Sequence, residues 1–311
     1  MARDLRKSYA KALIKAGEDC PKVVVLDADV SGSTRSGEFG KVFPDRFFNA
    51  GIAEADMVAM AGGLAASGYI PFVHSYSVFL TANGLTAARI YGSYSHLPIK
   101  IVGAHGGISS AFDGPSHNSL EDLAIMRAQQ NFKVFVASDA TMAEWMVKHA
   151  VEDPSPMFLR MSRETFDDIY PEGTQFEEGK ANIVREGKDV TIIACGLLVT
   201  NALHAAEELA KDGIDARVVD MFSIKPLDEE MIVKCAAETG AIVTAEEHSI
   251  YGGLGGAVCE ALCTNGCAVP VEMVGMRSHA ECGPYPALQA KYGLDAASVA
   301  AAVKKVLAKK K

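Results

Sequence analysis

Glu54 stands at the end of a Gly-containing turn, Asn49-Ala50-Gly51-Ile52-Ala53, and just ahead of the apolar stretch Met57-Val58-Ala59-Met60-Ala61-Gly62-Gly63-Leu64-Ala65. The stretch reads as a helix that is apolar on nearly every side and therefore buried. A carboxylate in the first turn is favoured by the helix dipole, yet its burial requires a partner. By itself such an acid is a capping residue. The residues downstream turn it into a candidate for proton chemistry.

Two histidines and an aspartate follow on one loop: His105, then Gly106-Gly107, then Phe112-Asp113-Gly114-Pro115-Ser116-His117. A single histidine is usually structural, but this grouping beyond an expected strand end marks a polar site. Ser162-Arg163 stands past another expected strand, where an arginine suits a phosphate clamp or a plain surface charge. Tyr76 and Phe79 are three residues apart on an expected helix start, so they form either one aromatic wall or part of the core. Asp27-Ala28-Asp29-Val30-Ser31-Gly32-Ser33-Thr34-Arg35 is a polar loop leaving a strand, which is where open α/β sheets bind ligands.

The elements that must position these residues alternate strand and helix. Residues 4–18 have helical spacing, with Leu5, Tyr9, Leu13 and Ile14 on one face. Val23-Val24-Val25-Leu26, Ile70-Pro71-Phe72-Val73-His74, Ile99-Lys100-Ile101-Val102-Gly103-Ala104-His105, Val134-Phe135-Val136-Ala137 and Met157-Phe158-Leu159-Arg160-Met161 are apolar runs of the buried parallel kind. A helix over 141–151 separates the last two. The stretch from Pro171 to Lys180 is rich in Gly and Glu and lacks periodicity, as a linker does. The pattern then restarts, with strands over 190–194, 216–220 and 241–245 and helices over 199–211 and 227–239. Gly252-Gly253-Leu254-Gly255-Gly256 opens a further helix and lacks dinucleotide-binding spacing, so it reads as a close-packing turn. Cys259, Cys263 and Cys267 share helical spacing without a Cys-x-x-Cys pair, which favours buried thiols on one helix face over a metal site. The expected fold is α/β, with two doubly wound domains over residues 1–172 and 183–311 joined by a linker over 173–182.

With 311 residues the chain can build two full cores, and 49% apolar with 22% charged residues is the composition of a soluble globular protein. A net charge of -9 argues against nucleic acid and anionic membrane surfaces as partners, while leaving room for a local basic pocket. No apolar run is long enough to span a bilayer, and the first residues lack a signal peptide's apolar core. Seven cysteines without such a signal read as reduced thiols of a cytoplasmic protein.

Taken together, Gly51-Ile52-Ala53-Glu54, Asp113-Gly114-Pro115-Ser116-His117 and Ser162-Arg163 resemble the C-terminal half of transketolase. That half is a pyrimidine-binding domain followed by a C-terminal domain, and the resemblance covers essentially the whole chain. It is most similar to the split transketolases, in which two genes encode what is one chain elsewhere. The resemblance implies thiamin diphosphate as cofactor. Glu54 then matches the acid that shares a proton with the cofactor's pyrimidine ring across a subunit interface. Tyr76 and Phe79 match the residues holding that ring, with Ala82 where relatives often carry a further aromatic or an arginine. Asp29 matches an acid near the cofactor at the interface. Arg6, Ser33, His105 and Arg163 match the sugar-phosphate contacts, Asp113 a contact to a substrate hydroxyl, and His117 a histidine assisting proton transfer.

The family's Gly-Asp-Gly…Asn motif, which holds Mg²⁺ and the cofactor's diphosphate, is not in this sequence. The resemblance thus implies no metal ligand here, an N-terminal transketolase subunit as partner, and an α2β2 heterotetramer with active sites at the interfaces. The implied reaction moves a two-carbon ketol unit from a ketose phosphate to an aldose phosphate, as in the pentose phosphate pathway. The alternatives are a 1-deoxyxylulose-5-phosphate synthase-like subunit, a 2-oxoacid dehydrogenase β-like subunit, or a non-catalytic scaffold that keeps the fold alone.

Overall fold

A computed structural model describes residues 2–310. The first half is built on a seven-stranded sheet in the order Ser223–Lys225, Lys133–Val136, Met157–Arg160, Lys100–Ala104, Ile70–Tyr76, Val23–Asp27, Phe47–Asn49. All neighbours are parallel except Ser223–Lys225, which pairs antiparallel with Lys133–Val136. The register aligns Leu26 with Val73, Val73 with Ile101, and Ile101 with Phe158. Parallel strands covered on both faces must be apolar in successive positions, and every residue of Val23–Asp27 is buried.

Alternate residues of these strands serve two cores. Val24, Leu26, Val73, Ile101 and Phe158 pack with Met57, Val58 and Ala61 of the helix Glu54–Ala66. Val23, Val25, Phe72 and Leu159 face the other way, onto Leu5, Tyr9 and Leu13 of Leu5–Asp19 and Trp145 and Met146 of Ala140–Glu152. Both of the latter helices start at an aspartate: the side chain of Asp4 accepts from the Lys7 amide, and that of Asp139 from the Met142 amide.

The second half carries a five-stranded sheet in the order Val271–Met276, Ile242–Ser249, Val190–Ala194, Ala216–Asp220, Asn182–Arg185, antiparallel only at Asn182–Arg185. The helices Leu198–Lys211 and Ala296–Leu307 cover one face, with Leu198, Ala202, Ala205, Val299 and Val303 in the core. The two halves share apolar packing, since Ile193, Val219 and Ile224 join the cluster that holds Leu26 and Val134. Among the described residues no helix is long and apolar enough to cross a membrane.

Three expectations need correction. The Glu54–Ala66 helix is not buried all round: Ile52, at 84% exposed, lies just before it, and Met60, at 39%, is on its outer side. Its apolar sequence is wider than one sheet face can cover, so an apolar stripe faces outward. Tyr76 is the last residue of the strand Ile70–Tyr76, and the helix Ser77–Ala82 begins after it. Finally, the three cysteines do not share a buried helix face. Cys263 is exposed, Cys259 is half-buried, and Cys267 lies beyond the end of Leu254–Thr264.

Candidate active site

The carboxyl ends of the central strands of the first sheet converge on one cleft. Asp27 ends its strand fully buried, accepting from the Val30 amide (2.7 Å), Thr34 Oγ1 (2.9 Å) and Ser36 Oγ (2.7 Å). Those bonds wrap the following loop around the carboxylate and present Ser33. Arg6 reaches over from the first helix and donates through Nη1 to the Ser33 carbonyl at 2.9 Å.

Tyr76 is the hub. Its ring stacks on the His105 imidazole with centroids 4.3 Å apart, and the His117 imidazole meets it edge-on at 5.3 Å. Phe79 lies against the same His117 ring at 5.1 Å and against Tyr76 at 5.8 Å. The Tyr76 hydroxyl points to Ser33 Oγ (3.5 Å) and Asp113 Oδ2 (3.4 Å). Arg163 closes the ring, donating from Nη1 to Asp113 Oδ2 and to the Ser110 carbonyl, both at 3.3 Å. Residues far apart in sequence (Arg6, Ser33, Tyr76, Phe79, His105, Asp113, His117 and Arg163) are thus brought together.

Glu54 is buried in the first turn of its helix, next to this group through Ser75, the neighbour of Tyr76. Ser75 Oγ donates to Oε1 at 3.2 Å and Asn83 Nδ2 to Oε2 at 3.3 Å, long bonds that leave the carboxyl free to take a better partner. Asp29 stands apart from the histidines. It is exposed, in a left-handed backbone conformation (φ 64°), and accepts from Asn49 Nδ2 at 2.8 Å. Asn49 in turn accepts from the Gly51 amide, so Asp29 supports the turn that leads to Glu54.

The electrostatics of the cleft favour an anion. Neither ring nitrogen of the buried His105 has a hydrogen-bond partner. Burial, reinforced by the positive charge of Arg6 and Arg163 and by His117, pushes this imidazole down to about 3. Burial also lowers Arg6, against the pull of Asp4 and with Arg35 and Arg163 as like-charged neighbours. The Nε atoms of Arg6 and Arg35 are buried without partners. Unsatisfied buried donors are costly, and a ligand carrying several acceptor oxygens would relieve them.

Beneath this cluster lies a buried ionic network whose members carry no motif in the sequence. Arg160 donates from Nε to Asp122 Oδ2 at 2.7 Å, and Ser77 Oγ donates to the same oxygen at 2.5 Å. Arg160 Nη2 donates to the carbonyls of Ser119 (3.2 Å) and Glu247 (2.8 Å). The available signals were a single arginine in the apolar run ending at Met161 and the run Glu246-Glu247-His248 at the end of another strand. Arg35, the third arginine near this cluster, sits in the polar loop after Asp27, with no motif to set it apart. Elsewhere, His149, Asp153 and Glu178 have ligand atoms within 4.8 Å of one another. Lys133 is already ion-paired to Asp153 (2.5 Å) and Glu178 (2.7 Å), so a cation is supplied there by the chain itself.

Fold and site define a two-domain α/β protein in which two arginines and two histidines gather around Tyr76 at the strand ends of the first sheet, with a buried acid alongside. Residues 1–167 match the transketolase pyrimidine-binding domain, and residues 179–299 match the transketolase C-terminal domain. The chain belongs to the transketolase family, which depends on thiamin diphosphate. It is 42% identical over 301 residues to a putative transketolase C-terminal section of Methanocaldococcus jannaschii, covering 96% of this chain and 94% of that one. It is 38% identical to the 6-deoxy-6-sulfo-D-fructose transketolase subunit SqwH of a Clostridium species, covering 98% of this chain and 95% of that one. A solved structure described as a split gene transketolase, inactive beta4 tetramer, superposes with a TM-score of 0.92 at 44% identity, covering all of both chains.

Proposed function

We propose that this chain is the C-terminal subunit of a split transketolase, transferring a two-carbon ketol unit from an anionic ketose to an aldose. The observation carrying the reading is the cluster itself: a neutral, unpartnered histidine stacks on Tyr76, Arg6 and Arg163 bond to Ser33 and Asp113 around the Tyr76 hydroxyl, and buried Glu54 lies next door through Ser75. Bound thiamin diphosphate would supply the nucleophilic carbon and electron sink for breaking and remaking the carbon–carbon bond beside the carbonyl.

The chain's own residues fit that group. When the cofactor is bound, Glu54 would share a proton with its pyrimidine ring, and the aromatic side chains of Tyr76 and Phe79 would pack against that ring. Arg6, Arg163 and Ser33 take the anionic end of the sugar, and His105 and Asp113 bind its oxygens. His117, half-exposed on the rim, moves a proton to or from the reacting hydroxyl. Asp29, at the Asn49 turn, belongs to the same subunit boundary as the exposed Ile52 and Met60. The diphosphate and Mg²⁺ are left to a partner subunit carrying the Gly-Asp-Gly…Asn motif, in an α2β2 assembly. The relative described as an inactive beta4 tetramer is consistent with a chain that needs that partner. The sulfosugar in the name of the Clostridium relative supports an anionic terminus, rather than one particular sugar, as what this cleft selects.

The test is ketol transfer from xylulose 5-phosphate to ribose 5-phosphate with thiamin diphosphate and Mg²⁺, run on this chain alone and with a co-expressed N-terminal subunit. Turnover by the pair only is expected. Turnover by this chain alone would contradict the shared site.

A further inference from the structure

The turn His105-Gly106-Gly107-Ile108 is held from both sides by two buried residues, Arg160 and Glu247, that lie outside the group around Tyr76. His105 adopts a left-handed conformation (φ 56°), and so does Gly107 (φ 68°). On one side Arg160 fills the space beside Gly106, where an added Cβ would lie 2.6 Å from its Nε. On the other, the Glu247 side chain occupies the space a Cβ at Gly107 would need, and Glu247 Oε1 accepts from the Ile108 amide at 2.8 Å. Glu247 belongs to the strand Ile242–Ser249 of the C-terminal domain, and its backbone carbonyl accepts from Arg160 at 2.8 Å. The Tyr285 hydroxyl, from the same domain, also reaches this carboxyl group.

We propose that Glu247 is the positioning residue through which the C-terminal domain sets His105, so that this domain shapes the sugar site without lining it. His105 has no hydrogen bond of its own to fix its ring, and its place depends on the stack with Tyr76 and on the turn that follows. That turn is tied by the Gly106 amide to the Met161 carbonyl (2.9 Å), by Gly107 to Ser119, and by Ile108 to Glu247. The last tie is the one that crosses from domain to domain through a side chain. Further ties hold the same face in register, from Asn118 Nδ2 to the Ala280 carbonyl (3.0 Å) and from the Ser249 amide to the Leu120 carbonyl (2.9 Å). Burial pushes the Glu247 carboxyl up to about 8, against Arg160 and the Ile108 amide, which fits a group kept for geometry rather than for charge.

The experiment compares Glu247→Gln, Glu247→Asp and Glu247→Ala in the complex with the partner subunit, by kinetics and by amide hydrogen exchange. The activity arm rests on the ketol-transfer reading; the exchange arm does not. Gln keeps an acceptor oxygen at the same reach, so wild-type KM and wild-type exchange of residues 106–108 are expected. Asp and Ala withdraw that oxygen, so the KM for the ketose should rise at least tenfold with a smaller change in kcat. In both, the amides of residues 106–108 should exchange at least tenfold faster, while those of Val24–Leu26 stay protected. Combined with His105→Ala, either change should add nothing further to KM. Folded Asp and Ala variants with unaltered exchange at 106–108, or KM effects that multiply with His105→Ala, would overturn the proposal. Fast exchange in these variants beside a wild-type complex with no ketol transfer would support the positioning role and count against the proposed reaction alone. Should Glu247→Ala not fold, Glu247→Asp against Glu247→Gln decides.

Discussion

The His105 imidazole lies flat on the Tyr76 ring, 4.3 Å between centroids and 23° between planes, with both of its nitrogens buried and unpartnered. Burial keeps this imidazole neutral and leaves both of its nitrogens unsatisfied within the chain. The left-handed backbone of His105 is one that few non-glycine residues adopt, and the turn that follows holds it there through the ties of Gly106 to Met161, Gly107 to Ser119 and Ile108 to Glu247.

The pH behaviour of that ring follows with a definite sign. Burial comes first, then the charges of Arg6 and Arg163, and together with His117 they hold it at about 3. Unfolded, it would titrate at about 6.5. Neutral His105 therefore contributes stability above that unfolded value, and the contribution is lost as pH falls towards 3. In a histidine NMR titration of the free protein, the His105 signals, assigned with His105→Gln, should not move between pH 5 and 8. An anionic sugar lodged between Arg6 and Arg163 should shift its titration upward. A free-protein midpoint near 6.5 would contradict the observed burial.

Arg163 is more than a third exposed and is bonded to Asp113 at 3.3 Å, so its charge is available to a ligand without breaking the fold. Arg163→Ala should raise KM for a phosphorylated ketose by roughly 10- to 100-fold, the range of a charge-assisted hydrogen bond, with kcat little changed. Steady-state kinetics on the assembled enzyme reads the split. A change in kcat alone would remove Arg163 from the sugar's anionic end.

Arg160 and Asp122 form an ion pair with side chains 5% and 0% exposed. Arg160→Met would leave the Asp122 carboxylate buried without its cation and should destabilise the protein by about 3–5 kcal/mol. Asp122→Asn keeps an oxygen for Arg160 and Ser77 and should cost less. Urea denaturation of the variants gives the order, and an Arg160→Met protein as stable as wild type would show that the pair is replaceable.

Much of this architecture was legible in the sequence, for physical reasons visible in particular residues. The Val23-Val24-Val25-Leu26 run had to be apolar throughout because both faces of its strand are covered. His105, Asp113 and Arg163 were legible because strand ends are where a parallel sheet leaves polar residues to collect. The strand Ser223–Lys225 was not, since three residues carry no periodicity and their pairing partners, Phe135 and Val134, lie 88 and 91 residues earlier. The Arg160–Asp122–Glu247 network was hidden for the same reason: its members are 38 and 87 residues from Arg160, and only tertiary packing brings them together. The outward stripe of the Glu54–Ala66 helix was not legible, because an apolar stripe facing outward has the same composition as one facing the interior.

In the proposed reaction Glu54, buried next to Tyr76 through Ser75 and held by Ser75 and Asn83, exchanges a proton with a cofactor shared between two chains. The direct measurement is ketol transfer by the assembled pair carrying Glu54→Gln, with folding followed by circular dichroism. Gln fills the same space and keeps an acceptor for Ser75 but cannot give up a proton. An intact fold is expected, with turnover reduced by roughly a hundredfold or more, the scale of lost acid–base catalysis. Near-wild-type turnover would contradict this role of Glu54, because the cofactor's pyrimidine would then have no need of this acid.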